Sequence, residues 1–529
     1  MVSKVGCAMV TAMGATLLEV EADVSGGLPD IEMTGNLGSS VKDGRERIRV
    51  AVKKCGFPFP QGRVTINIAP AAMRKEGTGF DLAVACAILE EMGIISEERL
   101  KGKVVIGELG LDGSVIGVRG VLPVVLAAYK AGRTGCIVPL ANYDEAVLVP
   151  GIEIIPVAHL SELVDEAYKM IHDEKSTDCN EIQDKVYVNE KNNEANKFKS
   201  KKPSLDFADI AGQEYAKKAM LTAAAGRHNI LLMGPPGAGK TMLVSRIPTI
   251  MPSMSESEQL ELACLYSVAG KLADRENMEE RPFRAPHHSI TPAALAGGGR
   301  FIEPGEVSLA SKGVLFLDEL TRYDTRVIEQ LREPLETGKI MINRVTGAYE
   351  LPADFMLAAA MNPCTCGFYP DRTKCRCTQW EVNRHYGRIS RPILDRIDIS
   401  ISLQRVSFDE LSGKHGAVRQ NCEDTIYTSA GMRKAVEKAW KIQRERLGDD
   451  RCNSRMTNEE IRKYCVLGRE SEGLMRDAYE HYGLSARAYY KTLKVARTLA
   501  DIEGEEHIGH THILEALSYR VKDKGAEQL

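Results

Sequence analysis

The octapeptide at residues 234–241 most constrains what this chain can fold into. Its letters, GPPGAGKT, fit the phosphate-loop pattern G-x-x-x-x-G-K-[ST]. In this pattern glycines let successive backbone N–H groups face one anion, a lysine reaches the β- and γ-phosphates, and a hydroxyl binds Mg²⁺. We therefore predict that ATP and Mg²⁺ bind through Gly234, Pro235, Pro236, Gly237, Ala238, Gly239, Lys240 and Thr241.

The flanking sequence predicts a strand before this loop and a helix after it. Residues 228–233 contain a buried apolar run, and residues 242–246 can open a helix whose N-terminus faces the phosphates. A second apolar run, residues 313–317, ends in Asp318 and Glu319. Strand ends of this kind meet at the ligand crevice of an open α/β sheet. We predict that Asp318 holds Mg²⁺ and that Glu319 orients and polarises the attacking water.

Two more polar positions extend this site. A third apolar run, residues 355–361, ends in Asn362, which is placed to hydrogen-bond the γ-phosphate or the lytic water, the role called sensor 1. Residues 388–399 supply candidates for an arginine finger, with Arg396 the first choice and Arg391 the second. Because phosphoryl transfer depends mostly on charge stabilisation, an arginine from a neighbouring subunit would make hydrolysis depend on assembly.

Length and charge restrict the remaining possibilities. A chain of 529 residues suggests about three domains. With a net charge of -4 there is no global basic field, so nucleic-acid binding would need a local patch. No run of 18 apolar residues appears, and the N-terminus lacks the organisation of a signal peptide. We therefore expect no membrane segment and a cytoplasmic protein.

Periodicity divides the chain into four parts. Residues 1–170 alternate apolar runs with helical patterns and predict an α/β or α+β domain. Residues 171–204 are dense in Lys, Glu, Asn and Asp and predict a polar linker. Residues 205–405 form the predicted ATPase core. Residues 406–529 are dominated by helical patterns, at 429–446, 457–464, 471–481, 486–501 and 511–519.

Four of the thirteen cysteines stand apart from the apolar core positions that most of the others occupy. Cys364 and Cys366 form one pair, and Cys375 and Cys377 form a second, in a loop just beyond Asn362. Two such pairs can close a tetrahedral structural Zn²⁺ site, although a spacer of one residue is shorter than usual. The alternative is a set of free or redox-active thiols. Catalytic zinc is disfavoured because four thiolates leave no open position.

The combination of motifs resembles the magnesium-chelatase-like AAA+ ATPases of the ComM/YifB family. It comprises the phosphate loop, RPFRAPHH at 281–288, GGG at 297–299, PGEVSL at 304–309 and LDRID at 394–398. Residues 69–82 and 107–119 resemble the Lon peptidase fold. The resemblance implies an α/β fold class: a P-loop parallel sheet with a helical lid, preceded by a Lon-protease-like domain. It also implies a homo-oligomeric, hexameric ring, and the best-understood members are DNA helicases that migrate branches during natural transformation.

The resemblance also assigns roles to single residues. Arg487, at a predicted helix start, matches the family's sensor 2 arginine, although an ordinary basic helix face is the alternative. Lys491, Lys494 and Arg497 fit such a solvated face better than any site. Gly79 stands where a Lon peptidase has its serine, and no lysine occurs between Lys103 and Lys130 to act as the base, so we expect no peptidase activity.

Two segments are candidates for contact with DNA. Residues 284–300 match the position of the family's helix-2 insert, a glycine-hinged loop that can project into a ring's pore. Residues 338–350 predict a hairpin whose Lys339 and Arg344 would contact phosphate, or would be ordinary edge charges with no ligand.

The sequence favours an ATP-driven ring motor that acts on branched or single-stranded DNA. One alternative is a magnesium-chelatase motor subunit that feeds a porphyrin-binding partner. Another is a protein-remodelling ATPase.

Overall fold

The computed structural model describes residues 2–165, 205–275, 277–299, 302–344, 347–406, 427–448 and 451–520. The chain divides into two compact units, Met1–Lys199 with Ala263–Glu276, and Ser200–Leu262 with Asn277–Leu529. The linker predicted at 171–204 lies outside the described residues, as do Arg300 and the side chain of Arg344.

The first unit is built on a mixed seven-stranded sheet. Its strands alternate buried and exposed side chains or are wholly buried, as in Gly135–Pro139. Across the sheet they are ordered Asp30–Thr34, Arg63–Ala69, Ala15–Ser25, Ser3–Val10, Lys103–Val105, Gly135–Pro139 and Glu153–Val157. The two pairings formed by Ala15–Ser25 are antiparallel and the others are parallel. A separate short ribbon pairs Glu108–Leu109 with Val115–Ile116.

The helices of the first unit are Ser39–Lys54, Asp81–Glu91, Glu97–Leu100, Val121–Lys130 and Tyr143–Ala146. Asp81–Glu91 is central, since all nine residues from Asp81 to Leu89 are buried. Gly79 lies just before this helix, and its carbonyl accepts a hydrogen bond from Gly107 N at 3.0 Å. The two stretches that resemble the Lon fold therefore meet at this point.

The second unit contains a five-stranded parallel sheet with the phosphate-loop strand next to one edge. The strand order is Phe283–Arg284, Val314–Leu317, Met356–Met361, Ile230–Met233 and Ile399–Ser402. The three inner strands are buried along their whole length, as expected for strands covered on both faces. Because all five run the same way, their carboxyl ends share one edge. This confirms the three apolar strands predicted around the phosphate loop and the α/β class.

The helices of this part of the chain are Glu214–Gly226, Lys240–Ser245, Ile247–Ile250, Thr325–Glu329, Arg332–Thr337, Gln379–Tyr386 and Arg391–Leu394. Shorter turns occur at Pro292–Ala296 and Glu306–Leu309, and the helix Glu256–Val268 contributes residues to both units. The predicted hairpin is present as Lys339–Arg344 paired antiparallel with Gly347–Pro352.

The C-terminal region is helical, as predicted, and we call it the lid. Its helices are Ser429–Leu447, Asn458–Tyr464, Arg469–Tyr482, Ala486–Glu503 and His510–Ser518. Local sequence sets several ends: Thr457 and Glu460 form a capping box, and Ser485 accepts a hydrogen bond from Ala488 N. No helix in the described part of the chain combines the length and apolarity needed to cross a bilayer.

Candidate nucleotide-binding site

The phosphate loop joins the strand Ile230–Met233 to the helix that begins at Lys240. Gly237 and Gly239 have φ of 76° and 82°, a left-handed conformation that only glycine adopts at low cost. A Cβ atom at either position would meet nothing within 4 Å, so the loop faces open space. Conformation rather than crowding requires glycine here, and the open cradle fits a bound phosphate chain.

The Lys240 ammonium donates to three acceptors, of which two are carbonyls of the phosphate loop. Its Nζ donates to Gly234 O at 2.8 Å, Pro235 O at 3.1 Å and Asn362 Oδ1 at 3.0 Å. Burial lowers the pKa of Lys240, while the Asp318 and Glu319 carboxylates act in the opposite direction. The structure therefore brings the predicted sensor 1 residue into direct contact with the phosphate-loop lysine.

Thr241 and Asp318 meet as the sequence predicts. Thr241 Oγ1 donates to Asp318 Oδ2 at 2.8 Å, and Asp318 Oδ1 accepts from Glu319 N at 2.8 Å. A hydroxyl and a carboxylate at one point are the oxygen ligands that Mg²⁺ prefers. These two residues fit the ion that the phosphate-loop motif implies.

Glu319 occupies a strained turn. Its φ of 51° is left-handed, a conformation that costs a non-glycine residue about 1–2 kcal/mol. Its carboxylate pairs with Arg322 at 3.0 Å, and both side chains are exposed. Strained residues of this kind cluster at functional sites. We did not predict Arg322 as a partner, although its i, i+3 spacing from Glu319 was a usable signal.

A histidine that the sequence analysis missed supports the same edge of the sheet. His385 Nε2 lies 3.0 Å from Asn362 O and 3.4 Å from Thr321 Oγ1. Burial lowers the pKa of His385, so the imidazole is neutral near pH 7 and donates to the Asn362 carbonyl. Its helix is separated from Asn362 by the cysteine loop, and no local pattern indicates this contact.

The two arginine-finger candidates differ in their surroundings. Arg396 is largely buried, pairs with Glu336, and donates to Pro392 O at 2.7 Å and Arg332 O at 3.1 Å. Arg391 is exposed at the start of the helix Arg391–Leu394.

Arg487 begins the lid helix Ala486–Glu503 and is exposed, with Nη1 4.0 Å from Asp395 Oδ2. This places the predicted sensor 2 residue beside the LDRID segment.

The prediction that Lys491, Lys494 and Arg497 form a solvated face is wrong. Lys491 Nζ pairs with Asp398 Oδ1 at 3.0 Å, and Lys494 Nζ donates to Ser454 O at 2.9 Å. Arg497 is 2% exposed and pairs with Asp501 at 3.0 Å. These side chains face the core because the helix packs on it through this side, which periodicity alone does not reveal.

The four predicted cysteines converge. Their Sγ atoms all lie within 4.8 Å of one another, and all four are free thiols. Cys364 and Cys375 are buried, while Cys366 and Cys377 are partly exposed. The group fits a single metal ion.

In the two candidate DNA segments, basic side chains are paired with carboxylates. Lys339 pairs with Glu350 across the hairpin at 2.7 Å, so its charge is partly neutralised. Arg284 makes a bidentate pair with Glu306, at 2.6 and 2.7 Å. Beyond it, the His287 and His288 rings lie with their centroids 4.0 Å apart and their planes tilted by 42°.

Family models match most of the chain. The model described as magnesium chelatase, subunit ChlI, matches residues 206–411. Subunit ChlI of Mg-chelatase matches residues 20–142, and the C-terminal model of the same subunit matches residues 427–520.

Similar proteins cover nearly the full length. Competence protein ComM of Haemophilus influenzae is 40% identical over 506 residues, which is 96% of this chain and 95% of that protein. The uncharacterized protein YifB of Escherichia coli is 36% identical over 517 residues, covering 97% and 96%. The magnesium-chelatase 67 kDa subunit of Chlorobaculum tepidum is 26% identical over 161 residues, covering 30% of this chain and 23% of that protein.

Proposed function

Since the chain belongs to the ComM/YifB family of magnesium-chelatase-like AAA+ proteins, we propose that it is an ATP-hydrolysing ring motor that moves on single-stranded or branched DNA. The observation that carries the ATPase part is the convergence of Lys240, Thr241, Asp318 and Asn362 at one sheet edge. The DNA part is supported by the full-length similarity to a protein named for competence.

Each side chain at this edge has a distinct task. Bound Mg²⁺ supplies charge neutralisation on the phosphate oxygens. Thr241 and Asp318 would hold that ion, and Lys240 would exchange its loop carbonyl contacts for the phosphates. Asn362 would orient the water that Glu319 polarises. The Glu319 carboxylate pairs with Arg322 at 3.0 Å in the present arrangement.

We propose that neighbouring subunits share each pocket. Arg396 is the first candidate for the donated guanidinium, because it lies on the LDRID segment that the resemblance singles out. To reach a neighbour's phosphate it would have to leave Glu336 and the Arg332 and Pro392 carbonyls. Arg391 is the second candidate, since it is already exposed. A head-to-tail interface of this kind closes into a ring.

The first alternative function is a magnesium-chelatase motor. It is supported by the match to the magnesium-chelatase 67 kDa subunit over 161 residues. Protein remodelling is the second rival. Under either, DNA would leave the ATPase rate unchanged, whereas protoporphyrin with a partner subunit, or an unfolded protein, would raise it.

The experiment compares ATP hydrolysis and strand displacement on forked DNA by the unaltered protein and by Lys240→Ala. The proposal predicts DNA-stimulated hydrolysis and unwinding that both disappear in the variant. Hydrolysis that forked DNA does not stimulate, combined with stimulation by unfolded protein, would favour remodelling. DNA-stimulated hydrolysis without displacement would reduce the motor to a DNA-bound switch.

A further inference from the structure

Four thiols lie beside the nucleotide site, on a loop that leaves the sheet directly after Asn362. We propose that Cys364, Cys366, Cys375 and Cys377 bind one Zn²⁺ ion, and that the metal-bound loop holds the phosphate loop and Asn362 in position for hydrolysis. The second half of this inference rests on the ATPase function proposed above, and the first half does not.

The sulfur geometry fits a tetrahedral ion. Zn–S bonds of about 2.3 Å place the corners of a tetrahedron about 3.8 Å apart. The Cys364 Sγ lies 3.3 Å from the Cys366 Sγ and 3.7 Å from the Cys375 Sγ. The Cys366 and Cys375 sulfurs are 3.6 Å apart. Small outward shifts would bring these sulfurs onto one ion.

The backbone around the thiols is arranged to support thiolate ligands. Gly367 N donates to Cys364 Sγ at 3.2 Å, and Tyr369 N donates to the same sulfur at 3.4 Å. Hydrogen bonds to ligand atoms orient them and stabilise the charge they carry. The apolar residues packed around the cysteines are few, namely Phe368, Tyr369, Val382 and Tyr386, so the loop has little core of its own. A metal would supply much of its rigidity.

One side of this loop touches the phosphate loop. A Cβ atom on Gly367 would lie 2.6 Å from Pro236 Cδ, so the Gly367 backbone packs closely against the Pro236 ring. The Arg405 guanidinium lies 5.3 Å from the Phe368 ring centroid and donates to Pro236 O at 3.3 Å. The loop therefore supports the phosphate loop from the side through packing and through an arginine bridge.

The other side of the loop leads to Asn362. The helix Gln379–Tyr386 begins two residues after Cys377, with a capping box formed by Thr378 and Glu381. Near the end of this helix, His385 contacts the Asn362 carbonyl. The metal would thus fix the start of the loop, two residues after Asn362. It would also fix the helix that brings His385 back to Asn362.

The first test measures metal in the full-length protein, purified under reducing conditions without chelator, by mass spectrometry of the metal. We expect about one zinc per chain, and loss of most of it in Cys375→Ser and in Cys377→Ser. Cys55→Ser is the matched control, because Cys55 lies outside the cluster in the first unit. Co²⁺ added to metal-free protein should give the visible absorption of tetrahedral thiolate coordination. The metal site would be ruled out if the purified protein contained no metal and the metal-free protein gave no thiolate absorption with Co²⁺.

The second test separates metal binding from its effect on ATP. We expect Arg405→Ala to retain the zinc but to lower the hydrolysis rate about tenfold, because it removes the bridge between Phe368 and Pro236 O. Arg433→Ala is the control, since that arginine contacts Glu437 and Ser253, away from the cysteine loop. Full hydrolysis by metal-free protein, or by Arg405→Ala, would overturn the positioning role. If the unaltered protein hydrolyses no ATP, the proposed function fails, while metal content still decides the site.

Discussion

Asp398 joins the core of the second unit to its lid, and its loss should destabilise both. Its side chain accepts from Asn229 N at 3.1 Å and from Lys491 Nζ at 3.0 Å, and His228 Nδ1 lies 3.5 Å away. Burial acts to raise the pKa of Asp398, but the Lys491 ammonium and His228 outweigh it and hold that pKa well below its usual range. The residue is therefore charged at pH 7.

The change Asp398→Asn should cost about 3 kcal/mol. It leaves the Lys491 ammonium, whose side chain is 17% exposed, without its anion. Removal of one partner of a buried pair costs about 3–5 kcal/mol, and the partial exposure of both partners favours the lower figure. With a urea dependence of about 3 kcal/mol/M, the unfolding midpoint should fall by about 1 M. The double variant Asp398→Asn/Lys491→Met, which removes both charges, should recover most of this loss.

Tryptophan fluorescence can follow unfolding at the contact between the lid and the core. Trp440, on a lid helix, is 5% exposed and donates to Ala224 O of the core at 3.2 Å, whereas Trp380 is 66% exposed. Asp395→Asn is the matched control, because that exposed acid lies 4.0 Å from Arg487, and such pairs contribute about 0–1 kcal/mol. An Asp398→Asn midpoint equal to that of Asp395→Asn, or a double variant no better than the single one, would refute this reasoning.

Other predictions follow from the same contacts. Lys240→Ala should reduce ATP hydrolysis at least about a hundredfold in a steady-state phosphate-release assay, while the free energy of unfolding in urea changes by about 1 kcal/mol or less. Asn362→Ala should lower kcat about 10- to 100-fold with little change in KM, and a rise in KM alone would contradict the assigned role. The Arg451 guanidinium lowers the pKa of Glu460 to about 2. The stability this carboxylate contributes is complete above its unfolded pKa of about 4.3 and is lost as the pH falls toward 2. When the pH is lowered from 7 to 3, the urea midpoint of Glu460→Gln should therefore fall less than that of the unaltered protein.

Local sequence was enough to predict the elements that carry the nucleotide site. Short apolar runs such as Val314–Leu317 and Met356–Met361, each ending in a polar residue, are typical of buried strands in a covered parallel sheet, and in such a sheet those polar residues share one edge. The contacts of Thr241 with Asp318 and of Lys240 with Asn362 followed from that arrangement.

Contacts set by packing were not predictable. The lid helix Ala486–Glu503 carries its basic residues on one face, and only its docking decides that this face is covered and that Lys491 meets Asp398, 93 residues away in sequence. His385 reaches Asn362 because the cysteine loop folds back, which no periodicity records. Likewise the contact of Gly367 with Pro236 depends on the tertiary path of that loop.

The central claim is that a second copy of the chain completes each nucleotide pocket, and mixing two inactive variants tests it most directly. Lys240→Ala and Arg396→Ala should each hydrolyse ATP at least about a hundredfold more slowly than the unaltered protein. In a 1:1 mixture of the two, about one pocket in four pairs an intact Lys240 with an intact Arg396 from its neighbour, so about a quarter of the activity should return. The same mixture with Arg391→Ala tests the second candidate. If Arg396→Ala and Arg391→Ala each hydrolyse ATP at the unaltered rate, or if neither mixture regains activity, the shared pocket is contradicted.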